Sequence, residues 1–266
     1  MTVMMTENND KRKKAGFFKV IFLITIPALI VIAVITYSVV SSLSVLNKVH
    51  EWQKVPASSD TPALSVEEWQ LVKNKAFLAA RLALAANDSL GLTINLKDSL
   101  VQLETKGVVM RQVHFDEAEI SKFFRSFEPA MYTKTFSKPF KVSGFGGTII
   151  KDPITVVKAP KDSIEAAKNK PAIDTTKIEF VEWHMMLNKS LVISFVQSDR
   201  EFGKMNKVAW QYKYDRYKET LTRNIKDMTH FKIPVFYPQI TIFIPKNEAK
   251  SFYRALSKKG EVVIRF

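Results

Sequence analysis

LTINLKDSLVQLETKGVVMRQVHF, residues 92–115, decides the fold class of this 266-residue chain. Leu92, Ile94 and Leu96 alternate with Thr93, Asn95 and Lys97, Asp98 and Ser99 form a turn, and Val101 and Leu103 resume the alternation. Lys106 and Gly107 supply a second turn before residues 108–115. A period of two broken by turn residues predicts a three-stranded meander. Just upstream the period is 3.6. Ser65 and Glu68 have capping-box spacing, and the alanine-rich residues 66–86 favour helix. Helix followed by meander points to an α+β domain that is β-rich and carries several helices.

Asp116 and Glu119 repeat the capping-box spacing and predict a short helix through Phe127. A loop-rich region follows, in which Gly144, Gly146 and Gly147 read as a hairpin turn. Residues 177–187 and 191–197 form a hairpin pattern across Asn188 and Lys189. A long helix is expected over 205–228, a strand over 234–244, a helix over 245–256 and a terminal strand over 261–266. No internal repeat is present.

VIFLITIPALIVIAVITYSVV, residues 20–40, carries no charge. At about 1.5 Å per residue it spans the roughly 30 Å hydrocarbon core of a bilayer. It exceeds the apolar region of a cleaved signal peptide, so it reads as a retained transmembrane helix that tolerates Pro27. Lys11, Arg12, Lys13, Lys14 and Lys19 crowd its amino side, which places residues 1–19 in the cytoplasm and everything after Val40 outside. The expected localisation is the inner (cytoplasmic) membrane, with the C-terminal domain exported. Residues 41–64 read as a juxtamembrane helix and a linker rich in turn formers, and residues 65–266 as the exported domain. Trp52 suits either an interfacial anchor or one half of a homodimer seam. The chain's net charge of +14 includes only +3 from residues 1–19, so the exported part is itself basic and expects an anionic neighbour.

With no cysteine, thiol nucleophiles, disulfides and thiolate metal sites are excluded. His50, His114, His184 and His230 show no metal-ligand spacing, and neither a metal nor a cofactor is expected. The glycines at 144–147 lack the lysine and spacing of a phosphate loop. Glu182 and His184, two apart in a predicted strand, project from one face, which suits an acid and base pair or an ordinary hydrogen-bonded histidine. Trp210, Tyr214, Tyr217, Leu221, Ile225 and Met228 recur at helical spacing and read as a core-facing stripe. Lys207, Lys213, Arg216 and Arg223 alternate with them, the composition of a stacking platform for a polymer. Export argues against nucleic acid as that polymer.

Residues 92–109, LTINLKDSLVQLETKGVV, resemble the opening meander of L,D-transpeptidase (YkuD-like) catalytic domains. Asn247 to Lys250 (NEAK), the following FYRAL and the closing VVI resemble their ending. The resemblance implies a β-rich scaffold near peptidoglycan. Where the family reads Ser or Thr, His, Gly, Cys, an apolar residue and Arg, this chain reads Pro238, Gln239, Ile240, Thr241, Ile242 and Phe243. Thr241 would occupy the cysteine position and Phe243 the arginine position, so the family's thiolate chemistry is absent. The reading favoured by the sequence is a single-pass envelope protein whose non-catalytic domain binds peptidoglycan or a protein partner. One alternative is an envelope hydrolase or transferase using Thr241, His184 and Glu182. Another is a bitopic subunit of a secretion or division complex.

Overall fold

The computed structural model describes residues 3–53, 65–149, 180–198, 205–257 and 260–266. The linker expected within 41–64 and the first residues of the hairpin expected from 177 lie largely outside them. The chain divides into two compact units, one made of residues 1–48 and 223–236, the other of residues 49–222 and 237–266.

The first unit is built on α1, Val3–Gln53, which continues unbroken through Pro27. Its stretch Thr25–Gln53 is long and apolar enough to cross a membrane. Several hydroxyls within that stretch are satisfied by the helix itself. Thr36 donates to the Ile32 carbonyl at 2.8 Å, Ser38 to Val34 at 2.9 Å and Ser42 to Ser38 at 3.0 Å. Such back-bonding lets a polar side chain sit where no water is available. Residues 223–236 complete the unit, and Asn224 Nδ2 lies 3.4 Å from the Tyr37 hydroxyl.

The second unit is a mixed α/β structure around one nine-stranded sheet of order β3-β2-β1-β9-β5-β6-β7-β8-β4. The meander is present as β1 (Gly91–Asn95), β2 (Leu100–Thr105) and β3 (Val108–His114). Helix α2, Val66–Ala85, starts at the expected reciprocal cap between Ser65 and Glu68. It buries Phe77, Ala80 and Leu84 against Val263 of the last strand, β9 (Glu261–Arg265). Strand β9 runs parallel to β1 and so joins the first and last strands of the unit.

The segment after the meander departs from expectation. No helix begins at Asp116; residues Glu117–Ile120 form β4, antiparallel to β8 (Gln239–Ile244) at the sheet's far edge. The edge of β8 offers a row of backbone donors and acceptors, and satisfying them outweighs a local capping pattern. The cap is instead Ser121, whose hydroxyl accepts from Phe123 N at the head of a 3-10 turn over Lys122–Ser126. Phe123, Phe124 and Phe127 surround Trp52, with ring centroids 5.2, 6.5 and 5.6 Å away. Trp52 is therefore a buried core residue, neither an interfacial anchor nor a seam.

The supposed loop contains α3 (Pro129–Phe136) and β5 (Phe140–Gly147), so Gly144, Gly146 and Gly147 lie in a strand and not in a hairpin turn. A Cβ on Gly146 would stand 2.5 Å from His184 Cε1, and one on Gly147 2.8 Å from Trp183 Cβ. These glycines permit close approach of the neighbouring strand. That neighbour is β6 (Glu182–Leu187), which turns through Asn188–Ser190 into β7 (Val192–Gln197). Strand β8 is shorter than expected, because Pro234 and Pro238 have no N–H to give a ladder. Strands β7 and β8 run parallel, which requires a crossover, and α4 (Met205–Thr229) belongs to that connection. Helix α5, Lys246–Ala255, follows β8 and packs on β6 and β7.

Candidate functional site

Alternation along β6, β7 and β8 sorts their side chains onto two faces. Trp183 and Phe195 are cross-strand partners, as are Met185 and Ile193, and with Ile240, Ile242 and Ile244 they form a dry face. Trp183 stacks on Phe195 at 4.4 Å and packs beside Tyr253 of α5, and its indole N–H donates to the Ala249 carbonyl at 2.9 Å. The opposite face presents Glu182, His184 and Ser194. The sequence gives one local sign of this: Ser194 interrupts an otherwise apolar run in β7.

Helix α4 meets the polar face through Tyr212 and Arg216. The Tyr212 hydroxyl is 2.8 Å from His184 Nδ1. Arg216 Nη1 is 3.6 Å from a Glu182 carboxylate oxygen and donates to Ser194 Oγ at 3.4 Å. Ala209, three residues before Tyr212, packs against Phe180 and Val196. This orientation turns the aromatic stripe outward. Trp210, Tyr214 and Tyr217 are 66, 49 and 65% exposed, contrary to the core-facing expectation. Two stripes of helical period run along α4, and the polar face of the sheet selects the one that can answer its carboxylate and imidazole. The indole of Trp210 and the ring of Tyr214 stack on each other at 5.3 Å and 10°.

Between α4 and the sheet lies a cavity of about 360 Å³. Glu182, Ser194 and Val196 line it from β6 and β7, Gln239, Thr241 and Phe243 from β8, and Glu119 from β4. Helix α4 contributes Lys213, Arg216, Tyr217 and Thr220. Two of the three residues singled out from sequence, Glu182 and Thr241, thus share one cavity. His184 stands beside it, held against Tyr212.

The electrostatics follow from burial. Glu182 is almost fully buried, and its Oε2 has no hydrogen-bond partner among the described residues. Burial raises its carboxyl above the ordinary range, while Lys213 and Arg216 pull the other way. His184 is pushed down to about 4, first by burial and then by the Arg216 charge, so it is neutral at physiological pH. Burial raises the Tyr212 phenol. These shifts are of the kind found in binding and catalytic clefts.

Wiring among the hydroxyls is less suited to catalysis. Gln239 Nε2 donates to both Thr241 Oγ1 and Ser194 Oγ at 3.2 Å. A hydroxyl that receives bonds from an amide or a guanidinium is not activated as a nucleophile; activation needs a base to take its proton. His184 and Thr241 share no hydrogen bond among the described residues. Nor do the described residues contain a group of three or more His, Asp or Glu side chains able to hold a metal ion. Sequence reasoning missed Tyr212, whose i, i+4 relation to Arg216 was the available signal. Comparison with family models, curated proteins and solved structures gave no match.

Proposed function

We propose that the chain is a single-pass protein of a bacterial inner membrane, with a cytoplasmic N-terminus and an exported domain that binds an envelope partner, peptidoglycan or protein. The exposed Trp210–Tyr214 stack on α4, the helix that also lines the polar cavity with Lys213 and Arg216, carries this reading. An exposed aromatic pair is costly in water unless a ligand covers it, and lysine and arginine beside it suit an anionic polymer. A retained anchor is supported by the Tyr37–Asn224 hydrogen bond, which ties the apolar stretch to a distant part of the chain. The resemblance to L,D-transpeptidase domains enters as a proposed scaffold kept without thiolate chemistry.

Co-sedimentation of the detergent-solubilised chain with purified peptidoglycan tests the binding. Retention in the pellet, lost in a Trp210→Ala and Tyr214→Ala double variant, is the expected result. Retention unaffected by that variant would displace the site from α4. Absence of co-sedimentation would leave a protein partner, to be sought by cross-linking at position 214 in intact membranes. A reporter active only outside the cytoplasm, fused after Phe266, is expected to be active; an inactive, well-expressed fusion would reverse the topology.

Sharing of one cavity by Glu182 and Thr241 favours a second reading, an envelope hydrolase or transferase. Incubation with peptidoglycan stem peptides separates it from the first. Product that disappears in Thr241→Ala would establish the enzyme; an unchanged substrate supports the binder.

A further inference from the structure

The first unit contains a second apolar surface besides α1. Residues 223–236, RNIKDMTHFKIPVF, leave the second unit within α4 and return to it before β8. At their middle stands Phe231, which is 100% exposed and has φ of 56°. The first is unfavourable in water and the second in any solvent. A bulky side chain in the left-handed region crowds its own backbone, and glycine or asparagine ordinarily takes this place after a helix. Ile225, Ile233 and Val235 are exposed as well. The turn therefore gathers four large apolar side chains that the described residues leave exposed in part or in full.

The backbone of the turn is closed in a manner suited to a place poor in water. Lys232 N donates to the Asp227 carbonyl at 2.9 Å, and Phe231 N to the Met228 carbonyl at 3.0 Å. The Lys226 carbonyl accepts from the Thr229 hydroxyl at 2.8 Å and stands 2.7 Å from His230 Nδ1. Three carbonyls at the end of α4 thus have partners within the turn, the requirement for any helix end that meets hydrocarbon. The flanks carry Arg223, Lys226 and Lys232 against Asp227 alone, a net charge of +2.

Asn224 places this turn next to α1. Its bond to Tyr37 reaches a residue three positions inside the uncharged segment that ends at Val40, about 4.5 Å along the helix from that end. Phe231 stands seven positions after Asn224, so the apolar tip lies within about 10 Å of the level of Tyr37.

We propose that the turn around Phe231 is a second membrane-contacting element, which inserts its apolar side chains into the bilayer beside α1 and sets Lys226 and Lys232 among anionic lipid phosphates. This rests on the reading of α1 as a retained anchor. Apolar residues at a tip with basic residues behind it follow the same logic as interfacial anchors, and continuity with α1 supplies the membrane. With the anchor and the turn both engaged, the domain would be held to the bilayer at two points instead of swinging on one.

A chain free of cysteine permits clean labelling. Phe231→Cys and Leu29→Cys variants of the full chain, each carrying a nitrobenzoxadiazole probe, are reconstituted in phosphatidylethanolamine and phosphatidylglycerol vesicles. Ile233→Cys repeats the measurement should the first substitution disturb the turn. Quenching at 231 and 29 by doxyl-labelled lipid, severalfold stronger than quenching by aqueous iodide, is the expected result. Lipid quenching at 29 with iodide quenching at both 231 and 233 would overturn the second contact and leave the anchor intact. Iodide quenching at 29 would overturn the anchor, and this proposal with it.

Discussion

The two faces of β6, β7 and β8 belong to the same strands yet obey different rules. On one face Trp183, Phe195 and Tyr253 pack ring to ring, and the indole nitrogen is answered by the Ala249 carbonyl. On the other, Glu182, His184 and Ser194 meet Arg216 and Tyr212 across a cavity, and one carboxylate oxygen has no hydrogen-bond partner among the described residues. Alternation, a property of the backbone, puts adjacent residues into opposite chemistry. The dry face holds the sheet together; the wet face keeps groups that cost stability and are available to a ligand.

The sharpest way to break this contrast is Trp183→Ala. Deleting a fully buried aromatic side chain from a packed face should cost about 3 to 5 kcal/mol. The midpoint of guanidinium unfolding, followed by circular dichroism on the detergent-solubilised chain, measures it. A loss below about 1 kcal/mol would mean that the face tolerates a void and is not the mechanical centre of the sheet.

A smaller effect should come from the wet face and be visible as a pH dependence. His184 titrates at about 4 in the folded chain against 6.5 for the ordinary side chain, so between those values the unfolded chain binds more protons. Stability is therefore full above pH 6.5 and falls as the pH is lowered toward 4. The whole shift would be worth about 3 kcal/mol, and partial access to solvent reduces this to about 1 to 2. Glu182 works in the opposite sense: its raised carboxyl makes the folded chain bind more protons above pH 4.5, so stability declines as pH rises through its range. Comparing wild type with His184→Gln isolates the histidine. The wild type should lose about 1 to 2 kcal/mol more than the variant between pH 7 and pH 4.5. Equal losses would show that the imidazole is solvated and the face not closed by α4.

Most elements are legible in the sequence where their cause is local. The Ser65–Glu68 cap, the turns at Asp98 and Gly107, and the alternation of β1 to β3 are decided within a few residues of where they act. Strand β4 is not, since its reason is the open edge of β8, more than 110 residues away in the chain. Gly146 and Gly147 of β5 likewise answer to His184 and Trp183 on the next strand, which no reading of residues 144–147 could supply. Glu182 and His184 were visible as a pair because two residues of one strand share a face. Their partners on α4 were hidden, since hydrophobicity alone prefers the aromatic stripe and the sheet beneath α4 happens to be polar.

The smallest stability effect belongs to that stripe, and it places the two tryptophans in direct opposition. Trp210 is 66% exposed and touches Tyr214 alone among the described aromatic rings, so Trp210→Ala should change stability by less than about 0.5 kcal/mol. Ala has the higher helix propensity, and within an exposed stretch of α4 that gain offsets part of the lost ring contact. The same unfolding measurement used for Trp183→Ala gives the comparison. A loss above about 1.5 kcal/mol at position 210 would mean that the ring is covered in the native chain, since that is the scale of burying a large apolar side chain. The outward stripe would then return to the core, and the binding surface proposed on α4 would have to be given up.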